Sequence, residues 1–476
     1  TYLVDRRLDM LPGLLTTTLC SLVSGVDRFS FSVIWEMTLD GAIVNTKFGK
    51  SVIHSKASLT YGQAQVMLDD LTISNPIAES VRALNKIAKF QRKIRMDKGA
   101  LTLASPEVRF NLDSVTQDPT DVKLYELKDT NALVEEFMLL ANVSVASKIV
   151  QAYPRFAVLR RHPEPNVKNF INLVQAASLV DIDIKVNTSK ALAESLDNAI
   201  LPEKPFFNKL IRIMTTRCMS QAVYFSSGEY STKEFKHYGL AAELYTHFTS
   251  PIRRYADVLV HRLLAASIGI EALPTAYESR SHVRKLCDNM NKRHHMAQLA
   301  GRSSVALHTI IYFNDRPTIT NASILKVRET SIVVLVPKYG IEGVIDIVED
   351  EKKNKKKKKK KSNNSISNIG KYTYDEQKMA LINQVDSNKS LCIFDEINIK
   401  ISVIDNGFCQ QELQLEIVWD TGINTAIMEV EKGDDNGIIS RTSSTNGQKR
   451  NGISKKRSTF TDNNNGGRAS KKQKQI

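Results

Sequence analysis

The sequence predicts a large mixed α/β domain, richer in helix than in strand, followed by a small all-β barrel. Three observations carry that expectation. Apolar and small residues recur at helical spacing in several long segments before residue 310. Beyond Pro317 the pattern changes to short β-rich runs separated by turn residues. With 476 residues and 42% hydrophobic content, the chain is large enough for two or three domains and a sizeable core.

Taken in order, the near-alternation of Phe29, Phe31, Val33 and Trp35 predicts a strand over 29–37. A second strand is predicted over 51–55, before a helix over 60–69. Further helices are predicted over 131–150, 166–180, 190–200, 208–221 and 282–307, the first carrying small residues that permit close packing. Another begins inside HFTSPIRRYADVLVHRLLAA at 247–266. There Thr249 or Ser250 suits the cap, Pro251 the first turn, and Ile252, Ala256, Leu259 and Leu263 share one face. Barrel strands are predicted over 322–328, 331–337, 343–347, 391–403 and 411–418. The large domain is expected over 1–310 and the barrel over 318–422. A Lys/Asn/Ser-rich insertion at 349–374 and a basic tail at 432–476 cannot build a core and are expected to be disordered.

The net charge of +15 is a poor guide to function. The lysine run at 352–361 contributes +9 and the tail from Asn436 another +9, which leaves about −3 for everything else. Five scattered cysteines (Cys20, Cys218, Cys287, Cys392 and Cys409) suggest neither a zinc cluster nor a disulfide framework, so a reducing compartment is expected. No stretch approaches about 20 apolar residues, so no membrane partner is expected. The chain starts at Thr1 rather than methionine and reads as part of a longer protein.

Candidate sites follow from local chemistry. Arg253 and Arg254, placed in the first turn of a helix, would add positive charge where free backbone N–H groups already supply it, so a phosphate would satisfy both features. Ordinary ion pairs are the competing reading, and Asp257 stands four residues beyond Arg253. Tyr2 with Arg6 or Arg7 suits base stacking beside a phosphate, although core packing of Tyr2 fits the pattern equally well. Asp5 and Asp9 share a helical spacing but make no convincing metal pair. Glu136 and Asn142, on an apolar small-residue helix, need buried partners such as an arginine; a carboxylate complementing the helix dipole is the plainer reading of Glu136. Arg160 and Arg161, followed by His162 and two prolines, suggest a rigid basic turn facing a backbone phosphate, or a solvated loop. His294 and His295 lack metal-pair spacing and are given no chemistry. Tyr61 and Tyr224 fit the core better than a ligand.

Six segments together carry a family resemblance: YLVDRRLDMLP at 2–12, SVIHSKASLTYGQAQ at 51–65, EEFMLLAN at 135–142, LRRHPEP at 159–165, RIMTTRCMSQAVYF at 212–225 and HYGLAAELYTHFTSPIRRYADVLVHRLLAA at 237–266. They resemble the ribonuclease II or RNB family, most closely its branch that supplies the catalytic exoribonuclease of the eukaryotic RNA exosome. The region from about 318 to 420 resembles the S1-like OB domain that follows. The resemblance implies a partial, helix-rich RNB domain ahead of an S1-like OB barrel. It also implies processive 3′-to-5′ hydrolysis of single-stranded RNA to nucleoside 5′-monophosphates, with Mg²⁺ as cofactor. It gives Arg253 the scissile phosphate with Arg254 as near alternative, Tyr2 a stacking role at the RNA 3′ end, and Glu136 a place lining the end of the RNA channel.

The family's cluster of metal-binding aspartates lies upstream of the segment matching YLVDRR. This chain is therefore expected to supply no metal ligands and to be inactive alone. The domains through which such proteins contact the exosome core also belong upstream. A catalytically inactive RNB-fold protein that binds single-stranded RNA is the alternative, and a DNA-binding or structural scaffold a weaker third. Basic runs at 455–457 and 470–474 suit nuclear import, so a nuclear or nucleolar location is expected, with room for a cytoplasmic pool.

Overall fold

A computed structural model describes residues 1–105, 108–114, 118–124, 127–347, 372–405, 407 and 411–419. All of them fall in one compact unit, residues 1–419. The expected basic tail at 432–476 lies outside the described residues, as does the lysine-rich insertion up to residue 371.

The chain opens with an irregular segment and then the hairpin β1 (Asp27–Met37) and β2 (Ile43–His54). One face of it, with Phe31, Val33, Trp35 and Phe48, packs on the helical core, while Phe29 is exposed. Next comes α1 (Tyr61–Asp69), opened by a capping box in which Thr60 and Gln63 satisfy each other's backbone N–H groups. The long helix α2 (Pro76–Asp97) is not among the elements expected from the sequence. Its signals are Asn75, whose side chain accepts from Ala78 N, and Pro76 at the first helical position.

A short hairpin, β3 (Val108–Leu112) and β4 (Pro119–Leu124), leads to α3 (Asp129–Ala152). This helix buries Ala141, Val145, Ala146 and Ile149 against later elements, as its small residues predict. Strand β5 (Val158–Arg161) follows, which corrects the reading of LRRHPEP as a basic turn. The strand is too short for its alternation to show in the sequence; burial of Val158 and Leu159 and antiparallel pairing with a distant segment hold it instead. The helix expected over 166–180 is a 3₁₀ turn (Val167–Phe170) running into α4 (Ile171–Ser178). Helices α5 (Ser189–Asn198) and α6 (Phe207–Arg217) come next. The latter stops earlier than expected, and Val223–Ser226 forms β6, the partner of β5.

Helix α7 (Tyr255–Ser267) buries Ala256, Leu259 and Leu263 of the predicted stripe, together with Val260 and Leu264. The long helix α8 (Arg280–Phe313) closes the helical part. Among the described residues no helix is long and apolar enough to cross a membrane.

The barrel is a five-stranded antiparallel sheet built from β7 (Thr318–Val327), β8 (Ser331–Val336), β9 (Ile341–Asp346), β13 (Glu396–Asp405) and β14 (Gln411–Ile417). Its order is β14-β13-β7-β8-β9. The two edges approach each other: a Cβ on Gly343 in β9 would fall 2.3 Å from Leu415 Cδ1 in β14, so only glycine lets the sheet curl that far. A second sheet of β10 (Tyr372–Asp375), β11 (Ala380–Asn383) and β12 (Leu391–Cys392) leads into β13. Thus the last residues assigned to the insertion, Tyr372 to Tyr374, form a strand, and the single strand expected over 391–403 is two. The barrel core is continuous with that of α4–α6. Phe394 packs edge-on against Phe207 at 5.0 Å, and Tyr339 does so against Phe313 at 5.1 Å.

Candidate nucleic-acid interface

The segment before α7 does not extend that helix by one turn, as its capping residues suggest. Arg253 N and Arg254 N both donate to Ser250 O, closing one tight turn, and Arg254 then adopts an extended conformation (φ −129°, ψ 119°) that ends it. The helix starts at Tyr255. Asp257 explains the difference: its fully buried carboxylate accepts from Ser250 N at 2.7 Å and from Arg254 Nε and Nη2, each at 2.8 Å. A side chain inside the helix therefore fastens the turn outside it, a stronger anchor than a hydroxyl cap.

This geometry separates the two arginines. Arg254 is committed to Asp257 and to the Thr249 hydroxyl, with 19% of its side chain exposed. Arg253 lies on the turn at the surface, and its guanidinium meets the Ser250 hydroxyl, at 3.2 Å, and no carboxylate among the described residues. The Arg253–Asp257 pair suggested by their spacing is thus replaced by Arg254–Asp257.

Upstream of the turn the loop is tied at each step. Thr246 Oγ1 donates to Val158 O at 2.7 Å, Phe248 N to Asn142 Oδ1 at 2.8 Å, and the His261 ring bonds Phe248 O at 2.8 Å. Asn142 also donates to the Tyr245 hydroxyl. Its expected burial and need for partners are met by this loop. Between these anchors His247 bonds the Tyr224 hydroxyl through Nδ1 at 2.6 Å. Burial first, then the charges of Arg254 and Arg160, push the His247 imidazole down to about 2, so it is neutral in water of any ordinary pH. His237 is driven to about 3, by burial and then by His162 and Arg160. Tyr224 is buried, as expected for a core residue, yet its hydroxyl serves this loop.

Arg160 and Arg161 leave β5 on different errands. The Arg160 guanidinium lies 4.6 Å from the centre of the Tyr224 ring. Arg161 lies 4.1 Å over Tyr230 and 4.0 Å from Glu234.

Glu136 is 3% exposed and forms a paired contact with Arg95 of α2, accepting from its Nε at 3.1 Å and from its Nη2. Glu135 adds a looser contact at 3.6 Å. The buried carboxylate thus has the arginine partner its setting demands, supplied by the helix that the sequence reading did not expect.

Tyr2 is 57% exposed, and Tyr61 is exposed as well, which corrects the core reading of both rings. The segment 1–12 is not helical: Tyr2 and Arg7 form an isolated bridge, Asp5 meets Arg6 at 3.5 Å and Asp9 meets Arg7 at 2.6 Å. The segment is seated on α8, where Val4 N donates to Ser304 Oγ and Tyr2 O lies 3.4 Å from where a Cβ of Gly301 would stand. His294 is exposed, and partial desolvation and then the charge of Arg160 hold its imidazole below the ordinary range. Among the described residues no group of three or more His, Cys, Asp or Glu could hold a metal ion, so these residues do not fit a Mg²⁺ site.

Two residues of the site, Arg95 and His247, are absent from the sequence-based candidates. The signal for His247 is its position six residues before Arg253 in a Thr/Ser/Pro-rich loop. Arg95 has none without its helix.

The RNB domain model matches residues 1–269, and an S1 domain model matches residues 318–414. The exosome complex exonuclease RRP44 homolog A of Arabidopsis thaliana is 46% identical over 417 residues, 88% of this chain and 43% of that protein. The exosome complex exonuclease RRP44 of Homo sapiens is 47% identical over 418 residues, 88% of this chain and 42% of its own length. The chain therefore spans less than half the length of these curated relatives. Among solved structures, the apo form of Mycoplasma genitalium RNase R superposes with a TM-score of 0.71 at 21% identity, covering 86% of this chain and 61% of that one. Yeast Ssd1, described as a pseudonuclease, superposes at 0.63 and 17% identity, covering 87% of this chain and 60% of its own. Those two likenesses speak to the fold alone. With its model matched over more than half the sequence, the chain belongs to the RNB domain family.

Proposed function

We propose that this chain is the strand-holding part of a 3′-to-5′ exoribonuclease that hydrolyses single-stranded RNA to nucleoside 5′-monophosphates. The observation that carries the reading is the accessible guanidinium of Arg253 on a turn locked by Asp257. A fixed cation with no carboxylate partner among the described residues suits a phosphodiester whose charge grows during in-line attack. Around it the reading gives Tyr2 a stacking role, supported by its exposure, and Arg6 and Arg160 backbone phosphates. Arg161 and Arg254, engaged by neighbouring side chains, support the surface instead. Glu136, paired with Arg95, would shape the channel end rather than touch RNA through a free carboxylate. The reading puts the Mg²⁺ ligands before Thr1.

The relatives named as exosome exonucleases extend the proposal to RNA decay with the exosome core as partner; the basic runs at 455–457 and 470–474 suit a location in the nucleus or nucleolus with a cytoplasmic pool. The other reading is a binder without catalysis. The test incubates a 5′-labelled RNA bearing a 3′ overhang with Mg²⁺ or Mn²⁺. This chain alone should release no mononucleotides, whereas a chain extended to its relatives' length should shorten the RNA stepwise. Arg253→Met in the longer chain should slow that release by about 10²–10³-fold. Tight binding without any shortening by the longer chain would establish the binder instead.

A further inference from the structure

Among the described residues Arg160 is a partly buried cation that the fold leaves unanswered. Its guanidinium is half-buried on the Tyr224 ring and makes no hydrogen bond or ion pair with any described residue. Arg161, its neighbour on the strand, has both an aromatic cover and a carboxylate within reach. The nitrogens of Arg160 are not among the unpartnered atoms sealed from solvent, while Nε of Arg161 is. Arg160 thus faces an accessible surface, and its charge is felt by six surrounding rings: His162, His237, His247, His294, Tyr224 and Tyr245. None of these carries negative charge. Among the described residues the carboxylate that acts on these rings is Asp257, already held by Arg254. Removing a guanidinium from bulk water without an acceptor is unfavourable, and an entering anion would reverse that cost.

A second donor stands in the same place. The phenol is a stronger acid than a neutral imidazole N–H, so Tyr224 donates to His247 Nδ1 and the imidazole keeps its proton on Nε2. That N–H has no partner among the described residues. His247 is also only partly buried, so the donor is available to a ligand. The same Tyr224 side chain therefore braces Arg160 with its ring and orients His247 with its hydroxyl. Both are joined to the loop that carries Arg253.

We propose that Arg160 and His247 Nε2, oriented together by Tyr224, hold a second backbone phosphate of one RNA strand, next to the phosphate assigned to Arg253. The inference rests on the RNA reading above and deepens it, because one strand is then gripped at two linkages. A guanidinium supplies charge to the second site and a neutral imidazole supplies a directed hydrogen bond without further charge.

The test measures fluorescence anisotropy of a 5′-labelled single-stranded oligoadenylate, in EDTA, over a series of salt concentrations. Arg160→Met should weaken binding about tenfold and flatten the plot of log K against log salt by about 0.7, the value for one lost phosphate contact on a single strand. Lys190→Met, which removes an exposed lysine on α5, should leave the curve unchanged. His247→Asn should weaken binding several-fold without changing the slope, because a neutral donor displaces no counterion. A scan with one neutral methylphosphonate linkage at a time, run on the unaltered protein, needs no variant to fold and should find at least two sensitive linkages. Arg160→Met should remove the penalty at one of them and Arg253→Met at another. An Arg160→Met curve and scan like those of the unaltered protein would overturn the second site, as would a scan with one sensitive linkage. Failure of the unaltered protein to bind the oligonucleotide would instead bring down the RNA reading itself.

Discussion

Replacing Asp257 by Asn keeps the shape of the side chain and removes the charge that three donors share. Oδ1 accepts from Ser250 N and Arg254 Nη2, and Oδ2 accepts from Arg254 Nε. An amide has one accepting oxygen, so either orientation of the new side chain would set its NH₂ against an N–H left without an acceptor. Asp257 is wholly buried and Arg254 largely so, and breaking a buried pair by removing one partner costs about 3–5 kcal/mol. Because part of Arg254 can rehydrate, the low end of that range applies, about 3 kcal/mol. If the loss falls on local opening of the turn, hydrogen exchange at the Ser250 amide should accelerate by about two orders of magnitude, at 1.4 kcal/mol for each factor of ten. The double variant Arg254→Met, Asp257→Leu removes both charges and should recover most of the stability in denaturant titrations. It should still leave the Ser250 amide unprotected, since no acceptor remains. Unchanged Ser250 exchange in Asp257→Asn would refute the claim that this carboxylate holds the turn. A double variant no more stable than the single one would refute the ascription of the cost to an orphaned charge.

Two further outcomes are expected. Gly343→Val would drive side-chain atoms into Leu415 across the barrel seam and should destabilise by about 1–3 kcal/mol, with Leu415→Ala in the same chain relieving part of the loss in denaturant titrations. His237 and His247 are held neutral in the folded chain, with values of about 3 and about 2 against about 6.5 unfolded, so protons bind the unfolded chain first as pH falls. Their contribution is complete above pH ~6.5 and declines below it, by at most about 2 kcal/mol per histidine at pH ~5; urea midpoints that stay level from pH ~7 to ~5 would contradict it.

Much of the architecture can be read from the sequence because its signals are local. The small residues of α3 and the stripe of α7 each state which face is buried, and the β-rich runs after Pro317 mark strands, of which β8 is buried along its whole length. The Asn75-Pro76 start of α2 is equally local, yet that helix is not among those expected, and without it Arg95, the partner of Glu136, has no place. At the candidate site, the residue types are legible but their pairing is not. Spacing favours Arg253 with Asp257, whereas the tight turn at Ser250 rotates the choice to Arg254. Arg160 and Arg161 look alike in sequence; strand alternation sends one to Tyr224 and the other to Tyr230. Such sorting depends on contacts between segments far apart in the chain, which no periodicity records.

The seam between Phe207 and Phe394 bears on how this protein could be taken apart or recombined. Phe394 is almost fully buried in a left-handed backbone conformation (φ 67°), and Lys204 Nζ donates to its carbonyl at 3.0 Å. Cutting the chain near Pro317 would bare both rings, each worth about 1.5–3 kcal/mol when fully buried. An excised barrel should therefore be prone to self-association, and a barrel grafted from a distant homologue would need a matching aromatic at the same corner. Evolution can exchange such a module only together with the helices that receive it.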